Sequence, residues 1–185
     1  ALITLIRLNV YNNLIILTNI NINFSIWDIN MIIRNIEKDK ELNIPYNELI
    51  NACNEGMQLL GIMLTRIHHK KEFKKKIKKK TENENSNIKV EAILTFASFS
   101  EKKDDFDFLL NKYPEISDKT KNDIIKIVDV NPNKKQALDF FEWIAENEPI
   151  PSKLIAIENL LSLDISKVFK LKQSKDISIK MACEQ

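Results

Sequence analysis

Glycine is nearly missing: there are two among 185 residues, alongside five prolines and two cysteines. So little glycine leaves no material for a glycine-rich phosphate loop, and it argues against the many tight turns of a loop-rich sheet protein. Cys53 and Cys183 stand far apart with no C-x-x-C spacing. That excludes a multi-cysteine framework and favours a reducing, cytoplasmic setting, while a single Cys53–Cys183 bridge stays open. An excess of one charge is missing too. The 28 basic and 26 acidic residues leave a formal net charge of +2, a weak basis for a polyanionic partner. No stretch qualifies as a membrane span. The most apolar region, residues 2–22, is broken by Arg7, Asn9, Asn12, Asn13 and Asn19, and it lacks the basic start and cleavage site of a signal peptide. G-x-S-x-G, H-E-x-x-H and the phosphate-loop pattern are all absent. The expectation is a chain that is not an enzyme, with no catalytic residues, no cofactor, no metal ligands and no small-molecule substrate.

What is present is ordinary in amount, 44% hydrophobic and 29% charged, but periodic in arrangement. Lys89, Lys121 and Lys153 recur at one constant step, and so do Ala92, Ile124 and Ala156. Ile93, Ile125 and Ile157 keep the same step, as do Phe96, Val128 and Leu160. Between these sets lie FDFLLNKY (106–113) and LDFFEWIA (138–145), again one such step apart. Two short apolar helices alternating at a period of about 30 to 40 residues are the mark of an α-solenoid. Each helix pair needs stacked neighbours to bury its apolar face.

Helix signals fill in the rest. Residues 1–8 read as a helix tail, and 11–19 as a helix that β-branched isoleucines could equally turn into a strand. Ser25 and Asp28 form a loose capping box for the next helix. Pro45 opens a helix over 46–55 that Gly56 ends, and 57–67 follows, with Gly61 implying close helix contact. Helices are expected over 72–80, 88–98, 103–112, 118–128, 134–147, 153–161 and 166–173, with a last one from 176. The turn 149–152 carries a Ser152 cap. Asp104, Asp105 and Asp107 suit a helix start. The clearest repeats are 88–113, 118–147 and 152–174, within one domain covering 1–185. The chain begins at Ala1 inside an apolar pattern and closes inside a helix, so a fragment of a longer protein is expected.

These paired helices resemble the HEAT-repeat family, from about Phe24 to Cys183. The likeness rests on Ala92, Ile124 and Ala156 in the second helices, and on Asp107-Phe108-Leu109 and Asp139-Phe140-Phe141 in the first. The resemblance implies an all-α superhelix, a HEAT-like α-solenoid, whose long exposed face suits protein–protein interaction or scaffolding. The arrangement also looks like the cytosolic HEAT regions of uncharacterised bacterial membrane-anchored proteins, which similarly place a tryptophan-bearing helix like 25–28 before the repeats. The implied location is cytoplasmic, with attachment to a membrane anchor as a further form. The family's first-helix proline and loop asparagine are mostly missing, so the repeats are degenerate.

Three candidate sites follow. The strongest charge feature is the basic run 66–80. Its candidate polyanion contacts are Arg66, Lys70, Lys71, Lys74, Lys75, Lys78 and Lys79, facing a nucleic acid or an anionic membrane surface. Against this, the run wraps the whole helix and carries only Phe73 as an aromatic. Trp27 and Trp143 are the candidate protein contacts. With Asp28 and Glu142 beside them, they also carry the one enzymatic alternative the resemblance offers, a HEAT-like DNA glycosylase. His68 and His69 are adjacent and diverge on a helix, so they read as a solvated helix end even with Glu72 at i+4.

Overall fold

The computed structural model describes residues 10–19, 24–37, 43–173 and 177–184. The expected helix tail at 1–8 lies outside the described residues. All regular elements among the described residues are helical: twelve α-helices and two short 3₁₀ turns, with no strand. No described helix is long and apolar enough to cross a membrane. The chain forms two compact units, residues 1–99 and 100–185. The boundary falls inside the stretch 88–113 that the sequence pattern marks as one repeat.

The first unit holds α1 (Val10–Thr18), α2 (Ile26–Ile36), α3 (Tyr46–Ile50), α4 (Glu55–Ile67), α5 (Lys74–Lys80) and α6 (Ser86–Ser98). The ambiguous isoleucine-rich segment is thus a helix. The Ser25 cap forms as expected. Ser25 Oγ accepts from the Asp28 N–H at 3.2 Å, and the Asp28 carboxylate accepts from the Ser25 N–H at 2.9 Å. The α2 isoleucines at 29, 32, 33 and 36 are buried. The expected single helix over 46–55 is instead interrupted. α3 stops at Ile50, and Asn54 caps α4 by accepting from the Met57 N–H at 3.1 Å. Asn is a strong N-cap because its side-chain oxygen satisfies an otherwise orphaned N–H. Gly56 therefore sits in the first turn of α4 and ends nothing. Gly61 does mark a close approach: a Cβ there would lie 2.6 Å from Leu49 Cβ and 2.7 Å from the Ile50 nitrogen. α4 is the hub of this unit, packing against α1, α2, α3 and α6, while α5 packs on α6.

The second unit holds α7 (Lys103–Lys112), a 3₁₀ turn (Tyr113–Glu115), α8 (Asp118–Asp129), α9 (Lys134–Asn147), α10 (Ile150–Leu163), α11 (Ile165–Lys172) and α12 (Ile177–Cys183). α10 starts earlier than expected, because proline is tolerated in a first helical turn where its missing N–H has no partner to lose. Ser152 is therefore a buried residue of α10 and not its cap. α9 packs on α7 and α11, and α8 on α10. Each helix thus meets its equivalent one repeat along, and α9 also packs lengthwise on α10. Such stacking of consecutive helix pairs is a solenoid-like arrangement.

The periodic columns fall where the stacking needs apolar matter. Ala92, Ile124 and Ala156 are fully buried, and Ile93, Ile125, Ile157, Phe96, Val128 and Leu160 are buried with them. Cap positions obey the same rule. Those of α4, α6, α8 and α10 are Asn54, Asn85, Ser117 and Pro149, each within one residue of a full repeat period beyond the last. Polar side chains tie equivalent turns together. Asn131 Nδ2 donates to the Ser100 carbonyl at 2.8 Å, and Asn133 Nδ2 to the Glu101 carbonyl at 2.6 Å. Asn131 is buried, so an unmade hydrogen bond there would cost about 1–3 kcal/mol.

Candidate functional site

The basic run resolves into a short helix with three distinct flanks. Ile77 is the one fully buried residue of α5 and fixes its inward face. At roughly 100° per residue, Lys75 and Lys79 then project from the opposite side, and both are exposed. On one flank Lys74 and Lys78 lie over the Phe96 ring, 5.4 and 5.7 Å from its centroid. On the other flank Lys80 Nζ donates to Gln58 Oε1 at 3.1 Å and Lys76 Nζ donates to Asn47 Oδ1. The lysine stems thereby cover apolar surface while their heads stay near water.

The structure thus separates the seven candidate polyanion contacts. Arg66 is drawn to Glu91, with 2.7 Å between Arg66 Nη2 and Glu91 Oε1. Lys70 lies 5.5 Å from the centroid of the Tyr46 ring. Lys74 and Lys78 serve Phe96, and Lys71 is an exposed residue of the 3₁₀ turn Lys71–Phe73. Lys75 and Lys79 remain as outward cations. Two lysines of the run, Lys76 and Lys80, are absent from the candidate set yet line an open cleft of about 550 Å³ with Lys79, Asn51, Glu82, Asn83 and Glu84. Only the helical register around Ile77 could have separated them, since the sequence run is lysine on all sides.

The histidine pair divides. His69 takes a positive φ of 51° where the chain leaves α4. His68 Nδ1 and the Tyr46 hydroxyl share a hydrogen bond of 2.5 Å. Burial holds the His68 imidazole below its usual range. Burial first, and Glu72 second, push the phenol up to about 12. This joins the α3 start to the α4 end. Among the described residues no cluster of three His, Cys, Asp or Glu side chains could hold a metal ion.

The tryptophans lie in different units. Trp27 is 67% exposed at the start of α2, next to Ile26, which is also exposed. Trp143 is half-buried in α9. Their acidic neighbours are both engaged. Asp28 caps α2, and its hydrogen bonds from Ser25 hold its carboxyl below the usual range. Glu142 accepts from Lys167 at 2.5 Å. A different apolar feature, unmarked by the sequence reading, lies on α11. Ile165 and Phe169 are 56% and 61% exposed, one helical turn apart. Lys170 and Lys172 are exposed alongside. In the sequence this stripe is hidden by Val168 and Leu171, the buried pair of the same helix.

The second unit also holds a buried polar cluster. Lys121 Nζ and Glu148 Oε2 lie 2.6 Å apart, with both side chains under a tenth exposed. Lys121 Nζ also stands 5.2 Å from the centroid of the Tyr113 ring. The Tyr113 hydroxyl is buried with no hydrogen-bond partner among the described residues, and burial pushes the phenol up while the nearby Ser152 acts the other way.

No family model, no curated protein and no solved structure matches this chain.

Proposed function

We propose that this chain is a HEAT-like repeat module that binds another protein, in a scaffolding and non-enzymatic role. The carrying observation is the exposed Ile165–Phe169 pair on α11, bordered by Lys170 and Lys172. Large apolar side chains cost free energy in water at roughly 25 cal/mol per Å², and an aromatic among them is a typical anchor of an interface. The lysine border favours a partner segment with apolar residues flanked by acidic ones. The periodic caps and like-on-like helix contacts support the HEAT-like reading. The test places a photo-crosslinking amino acid at position 169 and, as a control, at exposed Lys119. One partner trapped at 169, and lost on Ile165→Asp with helical content unchanged, is the expected result. Equal yields at the two positions would contradict it.

A second reading rests on Lys75 and Lys79, which share the outward side of α5. Such a pair suits a nucleic-acid backbone or an anionic surface, with affinity falling steeply with salt. Fluorescence anisotropy with a labelled single-stranded oligonucleotide checks it. A Lys75→Glu/Lys79→Glu variant should lose most binding, and retained binding would dismiss the reading.

A further inference from the structure

The cleft beside α5 lies within the 300–1,000 Å³ typical of small-molecule sites, at about 550 Å³. Every residue that lines it is polar or charged. Lys76, Lys79 and Lys80 come from two successive turns of α5, while Asn51 follows α3 and Glu82, Asn83 and Glu84 follow α5. Lys80 is the informative member. It is half-buried, and the protein group it bonds is a neutral amide, Gln58 Oε1. Burial holds its ammonium below the usual range. A partly desolvated cation bonded only to a neutral amide is an arrangement that a bound anion improves. Gln58 Oε1 takes one of its three N–H donors, and the other two have no protein acceptor among the described residues. Asn83 Oδ1 accepts from the Asn85 N–H at 2.8 Å, which leaves the Asn83 amide group as a further donor. The Asn51 amide donates to Asn47, which leaves its carbonyl as an acceptor, and the exposed Glu84 adds a carboxylate. Cations and acceptors side by side match a ligand bearing both phosphoryl oxygens and hydroxyls.

We propose that the cleft formed by Lys76, Lys79 and Lys80 with Asn51, Glu82, Asn83 and Glu84 binds a small phosphorylated polyol. The three ammoniums and the Asn83 amide hold the phosphoryl oxygens, and Asn51 Oδ1 and Glu84 accept from hydroxyls. The site stands apart from the protein-binding reading. It differs from the polyanion reading in depending on Lys80, which lies off the outward face.

Isothermal titration of the full chain with fructose 1,6-bisphosphate tests the proposal, with vesicles containing phosphatidylinositol bisphosphate as a parallel arm. Lys80→Met keeps the stem length and removes a partly buried charge, so the variant should fold as the parent does. It should weaken binding about tenfold, the worth of one charged hydrogen bond, whereas Lys75→Gln should change it less than about twofold. Glu84→Gln should weaken fructose 1,6-bisphosphate binding and leave tripolyphosphate binding unweakened. Binding to vesicles alone, still dependent on Lys80, keeps the phosphorylated-polyol chemistry and assigns it to a lipid headgroup. Absence of binding in both arms overturns the proposal. So does equal weakening by Lys75→Gln and Lys80→Met, which would mean diffuse charge in place of a site.

Discussion

In residues 1–99, α3 and α4 meet backbone against backbone at Gly61, and the surrounding core is mostly leucine and isoleucine. In residues 100–185 aromatic rings do the filling: Phe106, Tyr113 and Phe141 each stand 5.8–6.1 Å from the Phe140 ring, edge to face. Charge is handled differently as well. The first unit keeps its lysines on the rim of α5, whereas the second buries Lys121 against Glu148. Yet the caps of α4 and α6, Asn54 and Asn85, keep nearly the same sequence step as those of α8 and α10, Ser117 and Pro149. The comparison teaches that the repeat sets helix spacing and cap position, and leaves the chemistry of the core free. A column that is alanine at 92 is isoleucine at 124 because each need only fill its own gap.

The comparison can be broken at several depths. The largest effect is expected from Ile125→Asp, which places a carboxylate at a position 1% exposed. An unpaired buried charge costs several kcal/mol, a large part of a domain's stability. Thermal melting followed by circular dichroism should show the second unit's transition lost or lowered by more than ten degrees or so. Gly61→Ala probes the first unit. On helix propensity alone it should stabilise by about 1 kcal/mol, but the new methyl would meet backbone atoms that cannot yield, and overpacking costs about 1–3 kcal/mol. Net destabilisation in urea melts is the expected sign, and a stabilised variant would show that α3 and α4 can part freely. Glu148→Gln leaves Lys121 buried without its counter-charge, a loss of about 3 kcal/mol. A Lys121→Met/Glu148→Leu double variant should recover most of it, and failure to recover would give the pair a structural role beyond charge balance.

The smallest effect is one of pH. The folded pKa of His68 lies below its ordinary 6.5 because burial disfavours the imidazolium. Protonation then favours the unfolded chain, which binds the proton more readily. The contribution is therefore present above pH 6.5 and lost as pH falls through the lowered folded value. The ring is only partly buried, so the loss should stay under about 1 kcal/mol. Melts from pH 7.5 to 5 should show a decline that His68→Gln reduces. An identical decline in the variant would place the titrating group elsewhere.

Much of the fold was legible because local signals agreed with the period. α7 and α9 run over the residues expected, Lys103–Lys112 and Lys134–Asn147, since Pro114 and Asn131-Pro132-Asn133 punctuate them. The misreading at 46–56 came from taking Gly56 as a stop when Asn54 was the start signal. Neither the Lys121–Glu148 pair, 27 residues apart, nor the Lys80 cleft could be read from sequence. Both arise from which helices pack side by side, and a run of lysines looks alike on every face until Ile77 orients it. Trp27 drew attention as a rare residue and is exposed, whereas the Ile165–Phe169 pair was masked by its buried neighbours.

That the periodic columns form one shared core across α8, α9 and α10 is tested most directly by residue-resolved amide hydrogen exchange on the full chain, parent against Ile125→Asp. α8 packs on both α9 and α10, so a charge in its buried face should strip protection from all three helices together. The expected result is loss of slow exchange from Asp118 through Leu163. Protection lost in α8 alone, with α9 and α10 as slow as in the parent, would contradict the shared core and reduce the periodic columns to coincidence.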